Sequence, residues 1–210
     1  MQAETDAKGE PNALYNIARV ISKITNPYSL CALLFLLVAC AKASSLSLLL
    51  SWVAVILIFL VVWPPLYVYI RTSTGSGENR SKNPITFFRH RLKDVIIISV
   101  TAVVPCVTLL VILQASPFLI FSFVVMLAIS LGVVVTRRFY KASHHLAIAT
   151  GASLVLVITW EYLLIPLLAF IIVIGWARYT LGQHSIMQLA AGTSLAIVIG
   201  VLITYSWFYV

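Results

Sequence analysis

Acidic side chains are scarce: six Asp and Glu in 210 residues, and charged residues of both signs make up only 10% of the chain. Soluble domains hold about 25% charged residues. The shortage excludes a cytosolic enzyme and a disordered chain, both of which need far more polar surface. Cysteine is almost as rare. Cys31, Cys40 and Cys106 all fall in apolar stretches without C-x-x-C spacing, which excludes a secreted disulfide scaffold and reads as small buried hydrophobes. The start of the chain carries Glu4, Asp6 and Glu10 with no short apolar run and cleavage site after them, so no removable signal peptide is expected.

What fills the chain instead is apolar: 61% hydrophobic residues and a mean hydropathy of +1.05. No single water-soluble core hides that surplus, which points to a polytopic membrane protein. A spanning helix needs roughly 17–25 apolar residues. Residues 46–70, 95–113 and 117–136 supply three such runs, and residues 28–43 a first one that is short unless it extends back through residues 21–27. Pro64 and Pro65 are set to kink 46–70, and a tight turn at Gln114, Ala115 and Ser116 precedes 117–136. The run 146–176 is too long for one span and is interrupted by Glu161 and Pro166. A carboxylate in mid-membrane is costly, so Glu161 marks a hairpin at an interface. Residues 186–208 close the chain. The expectation is an all-α transmembrane bundle of seven spans, or six if the first run only lies on the surface. Residues 1–27 read as a short polar N-terminal segment ahead of a helical domain over 28–210. No soluble domain, heptad array or repeat is visible.

The net charge is +8 and the pI about 9.6. In a soluble chain that would suggest nucleic acid; in a membrane chain it is topogenic, so no nucleic-acid partner is expected. With seven spans, the N-terminus and the segments 71–94, 137–145 and 177–185 share one face. Every basic residue except Lys42 lies there, which assigns that face to the cytoplasm of a cell-membrane protein. The same segments collect all four histidines: His90, His144, His145 and His184.

Each segment carries a recognisable kind of chemistry. Lys82 and Arg89, with six residues between them, offer a mobile point charge and a planar donor fork for phosphate oxygens. Ser143, ahead of an apolar helix, is placed to cap it, and the backbone N–H groups at that helix start favour an anion. A histidine beside such a site can protonate a leaving alkoxide. The third segment sets Arg178 and His184 around a glycine turn at Gly182, with Gln188 one helical turn after His184. From there Gln188 can accept from one imidazole nitrogen and leave the other free. Taken alone, a basic loop beside a membrane, an ordinary serine cap and interfacial histidines explain the first two segments equally well.

The third segment resembles the last signature of the type-2 phosphatidic acid phosphatase (lipid phosphate phosphatase) superfamily, roughly S-R-x5-H-x3-D followed by Ala-Gly. Arg178, His184, Ala191 and Gly192 stand in register, and Leu181 and Gly182 are also typical. Ser143 and His145 fall on the family's P-S-G-H segment, and Lys82 and Arg89 on its K-x6-R-P segment, in the same order along the chain. The resemblance covers residues 80–195 and marks a divergent member. Ala177 stands for the family's Ser, Gln188 for its Asp, His144 for Gly, Ala142 for Pro, and His90 for the Pro after the arginine; residues 95–136 also set the first two segments far apart.

The resemblance implies an integral-membrane lipid phosphatase that needs no metal or other cofactor. It would hydrolyse a phosphomonoester or diphosphate of a lipid, such as a polyprenyl diphosphate, phosphatidic acid or phosphatidylglycerophosphate. Lys82, Arg89, Ser143 and Arg178 would hold the phosphate, His184 would attack phosphorus to give a phosphohistidine, and His145 would protonate the leaving alcohol. Gln188 would orient His184 without the full charge of an aspartate, which implies a slower enzyme or a different substrate preference. The alternative is a catalytically inactive relative that binds lipid phosphates or scaffolds membrane proteins, and Gln188 is the feature favouring it. A transporter fits less well, because mid-span ionisable residues are nearly absent.

Overall fold

The computed structural model describes residues 13–73 and 92–209. Among them every regular element is helical: α1 (Ala13–Ile24), α2 (Pro27–Lys42), α3 (Leu46–Ile56), α4 (Trp63–Ser73), α5 (Leu92–Ile112), α6 (Pro117–Thr136), α7 (His144–Thr159), α8 (Leu164–Thr180) and α9 (Ile186–Tyr209). Among the described residues, four continuous helical stretches are long and apolar enough to cross a bilayer: Leu46–Arg71, Pro117–Thr136, Glu161–Thr180 and Ile186–Tyr209. The pair α1 and α2, bent by 55°, brings the number to five if it counts as one broken span. The apolar helix α7 and the Val100–Ile112 part of α5 are shorter. Apolar residues cover the outer faces as well as the core. Leu131, Ile165, Ile172, Val198 and Leu202 are all more than half exposed, a distribution that suits an integral membrane location.

The breaks between helices follow local chemistry. Asn26 Oδ1 accepts the Tyr28 N–H at 3.2 Å and Pro27 opens α2, a position where its missing N–H costs nothing. The polar N-terminal segment therefore holds a helix of its own, α1, which the interspersed Asn16, Arg19, Ser22 and Lys23 conceal from a search for long apolar runs. Between α3 and α4 the chain runs as a π-helix, Leu57–Val62, and the Trp63 N–H reaches back to Ile58 C=O. Pro64 and Pro65 lack N–H groups and crowd the carbonyls one turn earlier; the wider π turn accommodates them without ending the helix. The expected turn before α6 is present, with Gln114 at φ +53° as the left-handed residue that closes α5. At Trp160 the backbone becomes extended, and a single 3₁₀ turn, Glu161–Leu163, leads into α8. Glu161 is exposed there, at a hairpin. Cys106 is buried as expected, whereas Cys40 is exposed on α2.

The chain forms two compact units, Phe35–Ile120 and the remainder, Met1–Leu34 with Phe121–Val210. In the first, the Trp52 indole donates to Leu113 C=O at 3.2 Å and the Trp63 indole to Thr101 Oγ1 at 3.0 Å, tying α3 and α4 to α5 and its C-terminal turn. Lys42 lies over the Phe118 ring at 5.0 Å. In the second unit α7 is the inner helix. Residues 146–153 are buried without interruption, so α7 has no polar face and hardly any hydrophobic periodicity. Its small residues allow close approach: a Cβ on Gly151 would collide with Ile129 Cδ1 on α6. Helices α8 and α9 pack on α7 from two sides, and α1 packs on α8.

Candidate functional site

The second unit gathers three of the sequence's chemical elements where α8 ends and α7 and α9 begin. Arg178 stands in the last turn of α8. That helix closes through Leu181 and Gly182, with the Gly182 N–H on Tyr179 C=O at 2.9 Å and the Gln183 N–H on Arg178 C=O at 3.2 Å. This is a Schellman closure, which requires a left-handed residue just past the helix. Gly182 fills that position at φ +64°, and nothing lies within 4 Å of where its Cβ would be. Backbone conformation, not space, therefore selects glycine. The closure returns the chain within two residues, so that His184 stands just ahead of Ser185, the residue before α9.

Helix α9 starts on a reciprocal cap. The Gln188 N–H donates to Ser185 Oγ at 3.4 Å, and the Ser185 N–H donates to Gln188 Oε1 at 3.2 Å, the S-x-x-Q form of the capping box. His184 Nδ1 lies 3.2 Å from the same Oε1. Because a backbone N–H can only donate, the Ser185 bond fixes the amide with its oxygen toward both groups. His184 must then carry its proton on Nδ1, leaving Nε2 with a free lone pair. The capping role of Gln188 escaped the sequence reading although Ser185 stands three residues before it.

Ser143 is docked on the same helix start. Its backbone N–H donates to Gln188 C=O at 3.0 Å, and a Cβ on Gly192, one turn further along α9, would meet Ser143 C=O at 2.5 Å. Glycine at 192 is thus what lets the two segments touch backbone to backbone. The Ser143 hydroxyl accepts the Leu146 N–H at 3.4 Å as the cap of α7. The residue is fully buried, so its side chain faces the helix start rather than open solvent.

The electrostatics show which groups crowd together. His145, in the first turn of α7 ahead of the apolar run, is pushed down to about 3 by burial, then by the positive charges of Arg178, His144 and His184. His184 is lowered by burial, and by Arg178, Lys141 and Arg137, against the opposing pull of the Gln188 bond. Burial and Arg137 bring His144 to about 4. Among the described residues, every charge acting on the three imidazoles is positive. His145, Arg178 and His184 are therefore close enough to act on one another. Arg137 and Lys141, which sequence reading counted only as topogenic charges, belong to the same cluster. The signal was available: Lys141 is two residues from Ser143.

Arg178 has a further partner. Its Nη1 donates to Ser22 Oγ on α1 at 2.8 Å, a contact no sequence pattern marked, while its buried Nε has no hydrogen-bond partner among the described residues. Lys82 and Arg89, expected to hold phosphate, lie outside the described residues, as does His90. Beside the cluster an apolar groove of about 500 Å³ runs between α8 and α9, lined by Leu146, Gly175, Trp176, Tyr179, Ile186 and Leu189 among others. Among the described residues no three His, Cys, Asp or Glu side chains gather as metal ligands. Compared with family models, characterised proteins and solved structures, the chain matches none.

Proposed function

We propose that this chain is an integral-membrane phosphatase for lipid phosphates, working through a phosphohistidine. The observation that carries the reading is the cluster itself. Two arginines, a lysine and three imidazoles act on one another in one partly buried place, and among the described residues no negative group acts on the histidines. Like charges in reduced dielectric repel one another unless an anion joins them. A phosphate dianion would neutralise the cations that depress His145 and so restore its ability to hold a proton.

In this reading His184 Nε2, freed by the Nδ1–H···Oε1 bond to Gln188, attacks phosphorus. The bond from phosphorus to the lipid oxygen breaks, and His145 delivers its proton to the departing alkoxide. Water then attacks the phosphohistidine, giving up a proton to the now neutral His145, and the P–N bond breaks to release phosphate and return His184 to its neutral state. Arg178 meets the phosphate with its unpartnered Nε, while Lys141 and Arg137 add charge from the opposite segment. Catalysis of this kind is positioning plus charge stabilisation, with little covalent chemistry asked of the protein. The apolar groove beside the cluster suits the hydrocarbon part of a substrate held in the bilayer. We further read seven spans, α2, the α3–α4 rod and α5 to α9, with the cluster on the cytoplasmic face where the basic residues lie.

A second reading rests on one specific observation. Gln188 is fully employed as a helix cap, so its contact with His184 exists without any catalytic demand, as it would in an inactive lipid-phosphate binder. Phosphate release from a panel of polyprenyl diphosphate, phosphatidic acid and phosphatidylglycerophosphate separates the two. Release by the wild type, abolished in His184→Ala, supports the enzyme; binding without release by either protein supports the binder.

A further inference from the structure

Helix α1 belongs neither to the cluster nor to the long apolar helices, and its twelve residues divide into three faces. Ile17, Val20 and Ile24 form an outward stripe, 50%, 55% and 68% exposed, at the spacing of one helix face. Roughly 120–140° around the axis, Ala18 and Ser22 turn inward, continued by Thr25 just past the helix end; Ala18 and Thr25 are buried, and Ser22 accepts from Arg178. The third face carries Arg19 and Lys23, both exposed, with Arg19 lying over the Tyr15 ring at 5.2 Å. Twelve residues rise about 18 Å, well short of the roughly 30 Å of a hydrocarbon core. The 55° bend to α2 also turns α1 away from the direction of that helix. A lipid-buried helix would not hold two cations exposed on one side, and a water-exposed helix would not hold three β-branched apolar side chains exposed on another. A helix lying in the bilayer surface satisfies both, with the apolar stripe among the upper acyl chains and the cations at the headgroups.

We propose that α1 is an interfacial helix seated on an anionic lipid surface, and that from this seat it holds Arg178 through Ser22, orienting the guanidinium so that its Nε faces the cluster. Ser22 is thus a positioning residue. The second half rests on the proposed phosphate chemistry; the membrane seat does not.

The test uses the full chain in lipid nanodiscs, with and without phosphatidylglycerol, and an environment-sensitive fluorescent amino acid placed in turn at Ile17, Arg19 and Ile24. Lipids brominated high on the acyl chain are expected to quench positions 17 and 24 far more than 19, and lipids brominated near the chain ends to quench none strongly. Strong quenching of position 24 by the deep bromines would make α1 part of a span. Absence of quenching at all three positions would mean that water or a second copy of the chain covers the stripe. Either result overturns the interfacial seat. In parallel, binding of inorganic phosphate is measured for Ser22→Ala and Ser22→Thr. Alanine should weaken binding about five-fold, the order of one lost hydrogen bond, and threonine should restore it. Equal binding by Ser22→Ala and wild type overturns the positioning role. Wild-type protein that binds no phosphate and releases none from lipids, yet shows the expected quenching, overturns the phosphatase reading and leaves the interfacial helix standing.

Discussion

Gln188 Oε1 stands 3.2 Å from His184 Nδ1 and accepts the Ser185 N–H at the same distance. One oxygen thus caps a helix and fixes a histidine tautomer together. The consequence is that charge at position 188 can be changed without losing the cap, because a capping box accepts Glu as well as Gln.

Gln188→Glu should keep α9 intact and raise the pKa of His184, since a carboxylate favours the imidazolium more than an amide does. Protonated His184 cannot attack phosphorus, so the acidic limb of the pH–rate profile should move to higher pH, and the maximal rate should rise as the carboxylate stabilises the charge developing on the ring. Gln188→Asp, the residue that the resembled phosphatase signature carries there, should do the same where its shorter arm reaches Nδ1. Gln188→Ala should cost about 1 kcal/mol in stability through the lost cap and lower the rate as well. A pH–rate profile unmoved by Glu, in a protein that His184→Ala inactivates, would show that Gln188 does not orient the nucleophile.

The depressed histidines make stability depend on pH. The folded values for His145 and His144, about 3 and about 4, lie below the ordinary 6.5, so the unfolded chain binds more protons. Stability is therefore at its full level above about pH 6.5 and is lost as the pH falls toward the folded values. The melting temperature in detergent should drop between about pH 7 and about pH 4.5, and His145→Asn should flatten that slope. Added phosphate should flatten it too, by neutralising the surrounding cations. An unchanged slope in the asparagine variant would place His145 in a far more solvated setting than described.

Gly192 and Gly182 give a contrast in why glycine is needed. A Cβ at 192 would sit 2.5 Å from the Ser143 carbonyl oxygen, a backbone atom that cannot swing aside. Gly192→Ala should force α9 from the Ser143 segment, costing about 1–3 kcal/mol as overpacking does, and should lower activity by breaking the register between Ser143 and Gln188. Gly182→Ala meets no atom and suffers only its left-handed backbone, roughly 1 kcal/mol. Thermal unfolding of the two variants checks the order; a milder effect at 192 than at 182 would contradict it.

Much of this arrangement was legible in the sequence, and the remainder was hidden for physical reasons. Apolar run length announces a membrane bundle, and Glu161 announces the hairpin before α8, because an isolated carboxylate is expensive in lipid. The spacing of His184 and Gln188 announces their contact, although His184 lies ahead of α9 and the capping-box amide, not helix geometry alone, brings the two together. Span number is harder to read. Run length cannot distinguish one helix from two that bend at an Asn–Pro step, nor show that α7, at sixteen residues, is shorter than the apolar run containing it. Ser22 was invisible because a serine meeting an arginine 156 positions away leaves no local pattern. Arg137 and Lys141 were misread because a basic residue beside a membrane has a ready topogenic explanation.

That misreading leads to the most direct test of the cluster. Lys141 and Arg137 both lower the pKa of His184, yet both side chains are exposed and neither is a helix cap, so neutral variants should fold. In Lys141→Met the removal of a nearby positive charge should raise the pKa of His184, with a smaller response at Arg137→Met, the later of the two causes. Phosphate binding should weaken in both, because each cation contributes to the attraction of the anion, and the weakening should shrink at high salt, where exposed charges are screened. The two signs are linked. The cation that makes His184 harder to protonate is the one that draws phosphate to it, so affinity and His184 pKa should move in opposite directions across the series. Imidazole titration by NMR, together with phosphate binding in the same detergent, measures both. If Lys141→Met weakens phosphate binding but leaves the His184 titration where it was, Lys141 acts at a distance as surface charge, and it has no place beside the nucleophile.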